Sequence, residues 1–390
     1  MLYGAFHSCG ASRTLAPFAG AETSVDRPND SVPTQYTLLS VRDDIQERRS
    51  DHDVTNEIRV STAADVRSAV RDLFESAYPR TSFDPVWLAF HDFDLYYRGL
   101  DAEYYGVDTP YHDIQHTLDM TLAIARLIVG YERTVESADR LGAERAKFAL
   151  VSALFHDVGY LRHRERDRDA ANGAEFTLTH VTRSGAFLER YLPKVGLADF
   201  APVASRVVHF TGYEMSLDQI ELEDPRDSVV GHLLGTGDLL AQLADRCYLE
   251  KCRDRLYPEF VLGNVAASSG AQANYWSGMD LLSKTLNFYQ QSAQYRLEHN
   301  FNRAYRYVEA LFDHGENPYM SFIRKNLSFL MTIKEMEDWE KLRRRPPCTL
   351  PDPHGEARLV ALAMRKLRVI SDTERENSAR LRALKPAFNF

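Results

Sequence analysis

An adjacent histidine and aspartate stand where an apolar stretch of the sequence ends. His156 and Asp157 follow residues 150–155, which are almost all apolar. A charged Asp at a buried position costs several kcal/mol unless it is paired or bound to a metal, so the pair is a candidate metal-ligand set. For an isolated pair the alternative is equally simple: the Asp caps the next turn while the His packs below it. Support for ligation must therefore come from other parts of the sequence.

Four other stretches offer the same residue types at otherwise apolar sites. His112 and His116 are four residues apart, so a helix would present both imidazoles on one face. Further along the chain stand His180, His209 at the end of an apolar run, and Asp238 before another apolar segment. Imidazole and carboxylate ligands suit Zn, Fe, Mn, Co or Ni, with Mg possible where oxygen ligands dominate. These positions together predict a metal site.

The ordered set resembles the ligands of the HD superfamily of metal-dependent phosphohydrolases. Residues 111–116 read Tyr-His-Asp-x-x-His, which is similar to the Tyr-His-Asn-x-x-His motif of class I cyclic-nucleotide phosphodiesterases. The resemblance covers residues 111–251. It implies that His112 protonates the leaving oxygen and that Asp157 bridges two metals. The first-metal ligands that it implies are His116, His156, Asp157 and Asp238.

Four positions depart from the phosphodiesterase pattern. Tyr160 stands where His-Asp-x-x-His would place a histidine, and Asp113 replaces the usual Asn. His180 and His209 have no counterpart there and resemble the second-metal ligands of dinuclear bacterial HD enzymes. The resemblance therefore implies two divalent metal ions, although a packed core histidine is the alternative at both positions.

This chemistry explains the residue types. A phosphodiester is anionic and repels hydroxide, whereas two cations roughly 3.5–4 Å apart neutralise it and activate a bridging water. The expected function is hydrolysis of a phosphodiester, with a cyclic nucleotide as first choice and His112 as general acid. Two rivals remain open: a diiron HD-type oxygenase, and a nucleotide-sensing HD module without turnover.

Three further residues are candidates for substrate binding. Tyr111 precedes the histidine motif and would otherwise close the loop after Pro110. His163 lies in a segment of alternating charge that is more often a solvated loop. Gln242 follows Asp238 by four residues, so it would share that helix face, unless it is a buried amide bonded to backbone.

Composition limits the partners and the compartment. The 390-residue chain carries a formal net charge of −9 and no long Lys/Arg cluster, so we expect a small phosphorylated substrate such as a nucleotide rather than DNA or RNA. No apolar run of about 18 residues occurs, which predicts no membrane span. The four cysteines form no CxxC pair, and this favours a reducing, cytoplasmic location.

The elements that must position these residues are predicted to be helices throughout, so the fold class is all-α. The predicted divisions are a poorly structured leader (1–60), a catalytic helical domain (61–260), helices packing on it (261–345), and a Pro-rich linker with a terminal helix (346–390). Residues 275–307 are rich in aromatics. Core packing is the expected role of that stretch, with a nucleotide-stacking surface or a homodimer interface as alternatives.

Overall fold

The structure, a computed structural model, describes residues 48–266 and 274–383. Regular structure in these two ranges is helical, and the β-contacts are isolated bridges at His52–Arg59 and Tyr104–His163. The all-α prediction is confirmed. The α-helices are α1 (Ala63–Ala77), α2 (Asp84–Tyr97), α3 (Ile114–Thr134), α4 (Gly142–Leu154), α5 (His180–Tyr191), α6 (Ala201–Val207), α7 (Pro225–Ala244), α8 (Tyr248–Lys251), α9 (Tyr257–Leu262), α10 (Gly278–Phe288), α11 (Pro318–Glu335) and α12 (Gly355–Ala383).

Helix α3 is the centre of the fold. It is buried along nearly its whole length and packs against α1, α4, α7 and the 3-10 segment Ala304–Leu311. Its start is fixed by Asp113, whose side chain accepts a hydrogen bond from the backbone N–H of His116 at 3.0 Å. His116 therefore stands in the first turn of α3, whereas His112 precedes the N-cap, so the prediction that one helix carries both histidines is wrong.

The segment before α1 needs a correction, because residues 48–60 are not part of a poorly structured leader. Asp53 is fully buried and pairs with Arg126 of α3, with 2.6 Å between Oδ2 and Nη2. Its carboxylate also accepts backbone hydrogen bonds from Thr55, Glu57 and Ile58. A buried charge pair leaves no apolar periodicity in the sequence, so residues 48–60 resemble a leader when the sequence is read alone. Residues 1–47 of the predicted leader lie outside the described residues.

Helix α7 ends at Ala244, where Asp245 leaves the helical conformation. The Asp245 carboxylate accepts a hydrogen bond from the Cys247 N–H at 2.6 Å and pairs with Lys251. This local side-chain capping competes successfully with helix continuation. Residues 173–191 divide into a 3-10 turn and α5.

The last third of the chain packs on α7 and α9, the helices that carry Asp238 and Glu259. Helix α11 contacts α7, and α12 contacts α9. Within the aromatic stretch 275–307, Tyr275, Phe301 and Tyr305 are buried, as expected for core packing, whereas Trp276 and Tyr295 are exposed. Among the described helices none is both long and apolar enough to cross a membrane.

The buried pair between Asp53 and Arg126 predicts a measurable loss of stability. Asp53→Ala would strand the Arg126 guanidinium in the core, so we expect the free energy of unfolding to fall by about 3–5 kcal/mol in urea denaturation. The control is Glu75→Ala, which removes the exposed partner of Arg71 and should leave the unfolding midpoint nearly unchanged. Equal losses in the two variants would contradict the structural role given to residues 48–60.

Candidate metal centre

Four predicted ligands converge on one point. The Nε2 atom of His116 lies 3.4 Å from Asp157 Oδ2 and 3.4 Å from Asp238 Oδ1. His156 Nε2 lies 3.1 Å from the same Asp157 oxygen. The ligand atoms of His116, His156 and Asp238 all lie within 4.8 Å of one another, and this group could hold a metal ion.

The donor atoms fit a cation. His156 donates its Nδ1–H to the carbonyl oxygen of Ala153 at 2.8 Å, so its Nε2 lone pair faces the cluster. Three buried atoms of this cluster have no hydrogen-bond partner in the described structure: His156 Nε2, Asp157 Oδ2 and Asp238 Oδ1. Buried acceptors without partners are costly, and a shared cation would satisfy all three at once.

The charges of the cluster also favour a bound cation. Burial disfavours a charged His116, but the Asp157 and Asp238 carboxylates outweigh it and raise the pKa of His116 to about 10. Burial likewise opposes ionisation of Asp157, yet His156, His112 and His116 hold its pKa well below the usual value. A proton on His116 thus balances two carboxylates, and a bound metal ion would displace it.

Close approach of α3 and α7 brings two of these ligands together. Asp238 lies within α7. A Cβ atom at its neighbour Gly237 would come within 2.4 Å of the Ile124 side chain of α3, so only a glycine permits this spacing. His156 and Asp157 stand just beyond the end of α4, as predicted, and complete the cluster.

A second set of contacts lies on the other side of Asp157. His180 Nε2 is 3.6 Å from Asp157 Oδ1, while its Nδ1 donates to the Thr177 carbonyl at 2.9 Å. Gly159 permits this approach, because a Cβ there would lie 1.9 Å from the His180 carbonyl oxygen. The two Asp157 oxygens therefore face different imidazoles, which is the arrangement that a bridging carboxylate requires.

His209, like His180, belongs to neither group of potential ligands found among the described residues, so its role as a ligand stays a prediction. It is buried in the 3-10 segment Val208–Thr211, where burial lowers its pKa and Glu214 partly opposes this. Glu214, five residues later, lies in the cleft wall instead. Its Oε1 accepts the Val181 N–H at 2.7 Å and lies 3.5 Å from His180 Nδ1.

His112 is held by a residue that the sequence analysis did not single out. Glu259 of α9 is fully buried, and its Oε1 accepts a short hydrogen bond from His112 Nδ1. Its Oε2 accepts the backbone N–H groups of Tyr111 and His112 at 2.8 and 3.2 Å. Burial disfavours the imidazolium, but the Glu259 and Asp157 carboxylates raise the pKa of His112 above its usual value.

Glu259 lies 147 residues after His112 in the sequence. The one feature that could have marked it as a site residue is its place as a Glu within the apolar stretch 256–262. His112 also offers a ligand atom within 4.8 Å of those of His116 and Asp157, so this second group could hold a metal ion too. Proton donation and ligation both remain chemically open to it.

The three predicted substrate-binding residues lie in different places relative to the cleft. Gln242 lines the cleft beside Asp238, as the helix spacing predicted. Tyr111 is buried behind the histidines, with its ring centroid 6.1 Å from that of His116. His163 lies outside the cleft lining: its ring packs edge-on against Tyr104, and its Nδ1 accepts backbone N–H groups within its own loop.

These residues open into one cleft. One wall is polar and carries the histidines and carboxylates. The opposite wall is apolar, with Leu256, Phe260 and Phe288, and it continues into a second pocket beside Tyr275. No Lys or Arg is among the described residues that line the cleft.

Comparisons with protein families, with curated proteins and with solved structures find no match to this chain. The resemblance to the HD superfamily therefore depends on the motif residues and on the geometry that they adopt.

The convergence of ligands predicts which variants lose metal. Asp157→Asn and His156→Ala should each weaken the binding of a first-row divalent ion by at least about 10–100-fold, the loss that even supporting residues of metal sites cause. Elemental analysis after dialysis against a weak chelator measures the metal retained. The control is His163→Ala, which changes a histidine of the same region outside the cleft. Full metal retention by Asp157→Asn, or equal loss in the control, would contradict the site.

Proposed function

We propose that the protein is a metal-dependent phosphohydrolase that cleaves a phosphodiester, with a cyclic nucleotide as the first candidate substrate. The observation that carries the proposal is the convergence of His116, His156, Asp157 and Asp238, with unpartnered donor atoms, beside His112 in one cleft. Metal ligands and a potential proton donor are the two components that hydrolysis of a stable phosphoester needs.

The candidate ligands would bind two metal ions. His116, His156, Asp157 and Asp238 would hold a first divalent ion, and His180 with the second oxygen of Asp157 would support another. Fe, Mn, Zn, Co or Ni suits the imidazole-rich side, and Mg is possible at the second position. Bound there, the ions would neutralise phosphoryl oxygens and activate a water.

His112 would be the general acid. Glu259 engages its Nδ1, so the other ring nitrogen is left to donate a proton to the leaving oxygen. The same carboxylate raises the pKa of His112, which keeps the imidazole protonated closer to neutral pH. The two backbone hydrogen bonds to Glu259 fix the position of this pair relative to the metal ligands.

The cleft favours a substrate of low charge with an apolar or aromatic part. Asp157, Glu214 and Asp238 already supply negative charge, and the described lining has no Lys or Arg to balance a polyphosphate. A diester carries one negative charge. Phe260 and Phe288 offer apolar surface to a nucleobase, and the Gln242 amide could hydrogen-bond to its edge.

The test is turnover of a phosphoester panel by protein of measured metal content. The panel contains 3′,5′-cyclic mononucleotides, cyclic dinucleotides, linear mononucleotides and bis(p-nitrophenyl) phosphate. Metal-dependent cleavage of a diester in preference to the monoesters is expected, and no turnover with any first-row divalent metal would refute the proposal. Bound iron with oxygen consumption would favour an oxygenase, and tight binding of an uncleaved nucleotide would favour a sensing module.

If His112 is the general acid, the effect of its removal on turnover should depend on the leaving group of the substrate. His112→Ala should reduce turnover of an alkyl diester, such as a cyclic nucleotide, by about 10²–10⁴-fold, because the leaving alkoxide needs a proton. Cleavage of bis(p-nitrophenyl) phosphate, whose leaving group departs without one, should change far less. Glu259→Gln should show the same selectivity in weaker form. Equal losses on both substrates, or loss of bound metal from His112→Ala, would instead make His112 a ligand.

A further inference from the structure

Arg255 is a buried arginine that joins the start of α3 to the C-terminal part of the chain. Its side chain is 1% exposed, and it lies in the helical segment Cys252–Leu256 directly before α9. Nη1 donates a hydrogen bond to Asp113 Oδ2 at 3.2 Å, whereas Nε and Nη2 donate to the Glu356 carboxylate at 3.2 and 2.8 Å. Every nitrogen of the guanidinium therefore has a partner.

The Asp113 carboxylate connects Arg255 to a candidate metal ligand. Its Oδ1 accepts the backbone N–H of His116 at 3.0 Å and so caps α3, while its Oδ2 faces Arg255. Asp113 is 1% exposed, and a buried carboxylate is tolerated only with a cationic or polar partner. The Lys251 ammonium is also near Asp113, but it pairs with Asp245 at 2.6 Å. Arg255 is thus the cation that hydrogen-bonds to the cap of the helix that carries His116.

The negative charge at position 113 is one of the departures from the phosphodiesterase motif, which has an Asn there. Asn and Asp cap helices about equally well, so capping alone does not require the charge. A buried charge adds the requirement for a cation, and Arg255 meets it from 142 residues further along the chain. The ion pair therefore accompanies the departure from the motif.

The Pro-rich segment that precedes α12 holds Arg255 from the other side. The carbonyl oxygens of Pro346 and Pro347 accept hydrogen bonds from Nη2 at 3.2 and 2.9 Å. In the same segment, Thr349 Oγ1 accepts the backbone N–H of Gln115 at 3.4 Å, one of the first N–H groups of α3, which have no partner within the helix. The position of the first turn of α3 therefore depends on contacts with residues far along the chain.

We infer that Arg255 is a positioning residue of the metal centre, which acts through Asp113 to fix His116. The inference rests on the proposed metal-dependent function, because it assigns Arg255 a role toward the ion that His116 would bind. His116 Nε2 lies 3.4 Å from both Asp157 Oδ2 and Asp238 Oδ1, so a shift of the first turn of α3 would move it away from the other ligand atoms. Loss of a residue that supports a metal ligand typically weakens metal binding by about 10–100-fold.

The test is a double-mutant cycle on Co²⁺ affinity with Arg255→Gln, Asp113→Asn and the double variant. Asn keeps the helix cap and removes the charge, so it separates the ion pair from the cap. Arg255→Gln alone should weaken Co²⁺ binding roughly tenfold, because it leaves the Asp113 carboxylate buried without its cation. In the Asp113→Asn background the same change should weaken binding by no more than about threefold, because the group through which Arg255 acts is no longer charged.

Arg126→Gln is the matched control. Arg126 is also a buried arginine that pairs with a buried aspartate, and it belongs to α3 but lies roughly 15 Å beyond His116 along the helix. Both arginine variants should lower the melting temperature. Only Arg255→Gln should change the Co²⁺ affinity and the visible absorption spectrum of the bound ion, which reports the geometry of its ligands.

Glu356→Gln keeps the inference testable if Arg255→Gln does not fold. The Glu356 side chain is 31% exposed, so its substitution disturbs the core less, and it loosens the same guanidinium. Co²⁺ binding by this variant should weaken in the same direction as binding by Arg255→Gln. Wild-type affinity in Glu356→Gln together with wild-type affinity in a folded Arg255→Gln would overturn the inference. Equal losses of affinity in Arg126→Gln, or additive losses in the double-mutant cycle, would overturn it as well.

Turnover of the diester panel distinguishes this inference from the proposed function. If the wild type cleaves a diester and Arg255→Gln keeps both the Co²⁺ affinity and the spectrum of the wild type, the inference fails while the function stands. If the wild type binds Co²⁺ with the predicted dependence on Arg255 but cleaves nothing, the function fails and the positioning role stands.

Discussion

The burial of Asp157 is the constraint on which the rest of the site depends. Its carboxylate lies at the end of the apolar helix α4, and Oδ2 has no hydrogen-bond partner in the described structure. A buried carboxylate is tolerated only when cationic or polar groups surround it. His116, His156 and His180 each approach it within 3.1–3.6 Å, so the helices that carry them must meet at this point. Small residues allow the meeting, since Gly237 and Gly159 stand where any side chain would collide with the neighbouring element.

The histidines of the site differ in what holds the second ring nitrogen. His156 and His180 donate Nδ1–H to the backbone carbonyls of Ala153 and Thr177, which are neutral. Such partners fix the tautomer and leave Nε2 as a neutral ligand atom. His112 instead meets the buried carboxylate of Glu259, which favours the imidazolium. The Glu259 carboxylate raises the pKa of His112, which suits the proposed acid role.

The C-terminal part of the chain completes this arrangement. Glu259 is on α9, which packs against α12, and the apolar wall of the cleft comes from Leu256, Phe260 and Phe288. Arg255, itself buried, pairs with Asp113 at the start of α3 and with Glu356 of α12. The loop that carries the histidine motif is thereby tied to the end of the chain. The catalytic division proposed for residues 61–260 and the helices after it share one core, so they act together in shaping the cleft.

The sequence by itself determined the helical class and the candidate residues of the site. The His112–His116 motif and the His156–Asp157 pair are local signals, because their residues lie close together in the chain. Tertiary structure decided what depends on contacts between distant residues. Glu259 reaches His112 across 147 residues, His209 lies outside both ligand groups, and the Tyr160 ring stacks against His112 and His180 of separate elements. No sequence period encodes these contacts, because they arise from how closely α3, α5, α7 and α9 can pack around one buried carboxylate.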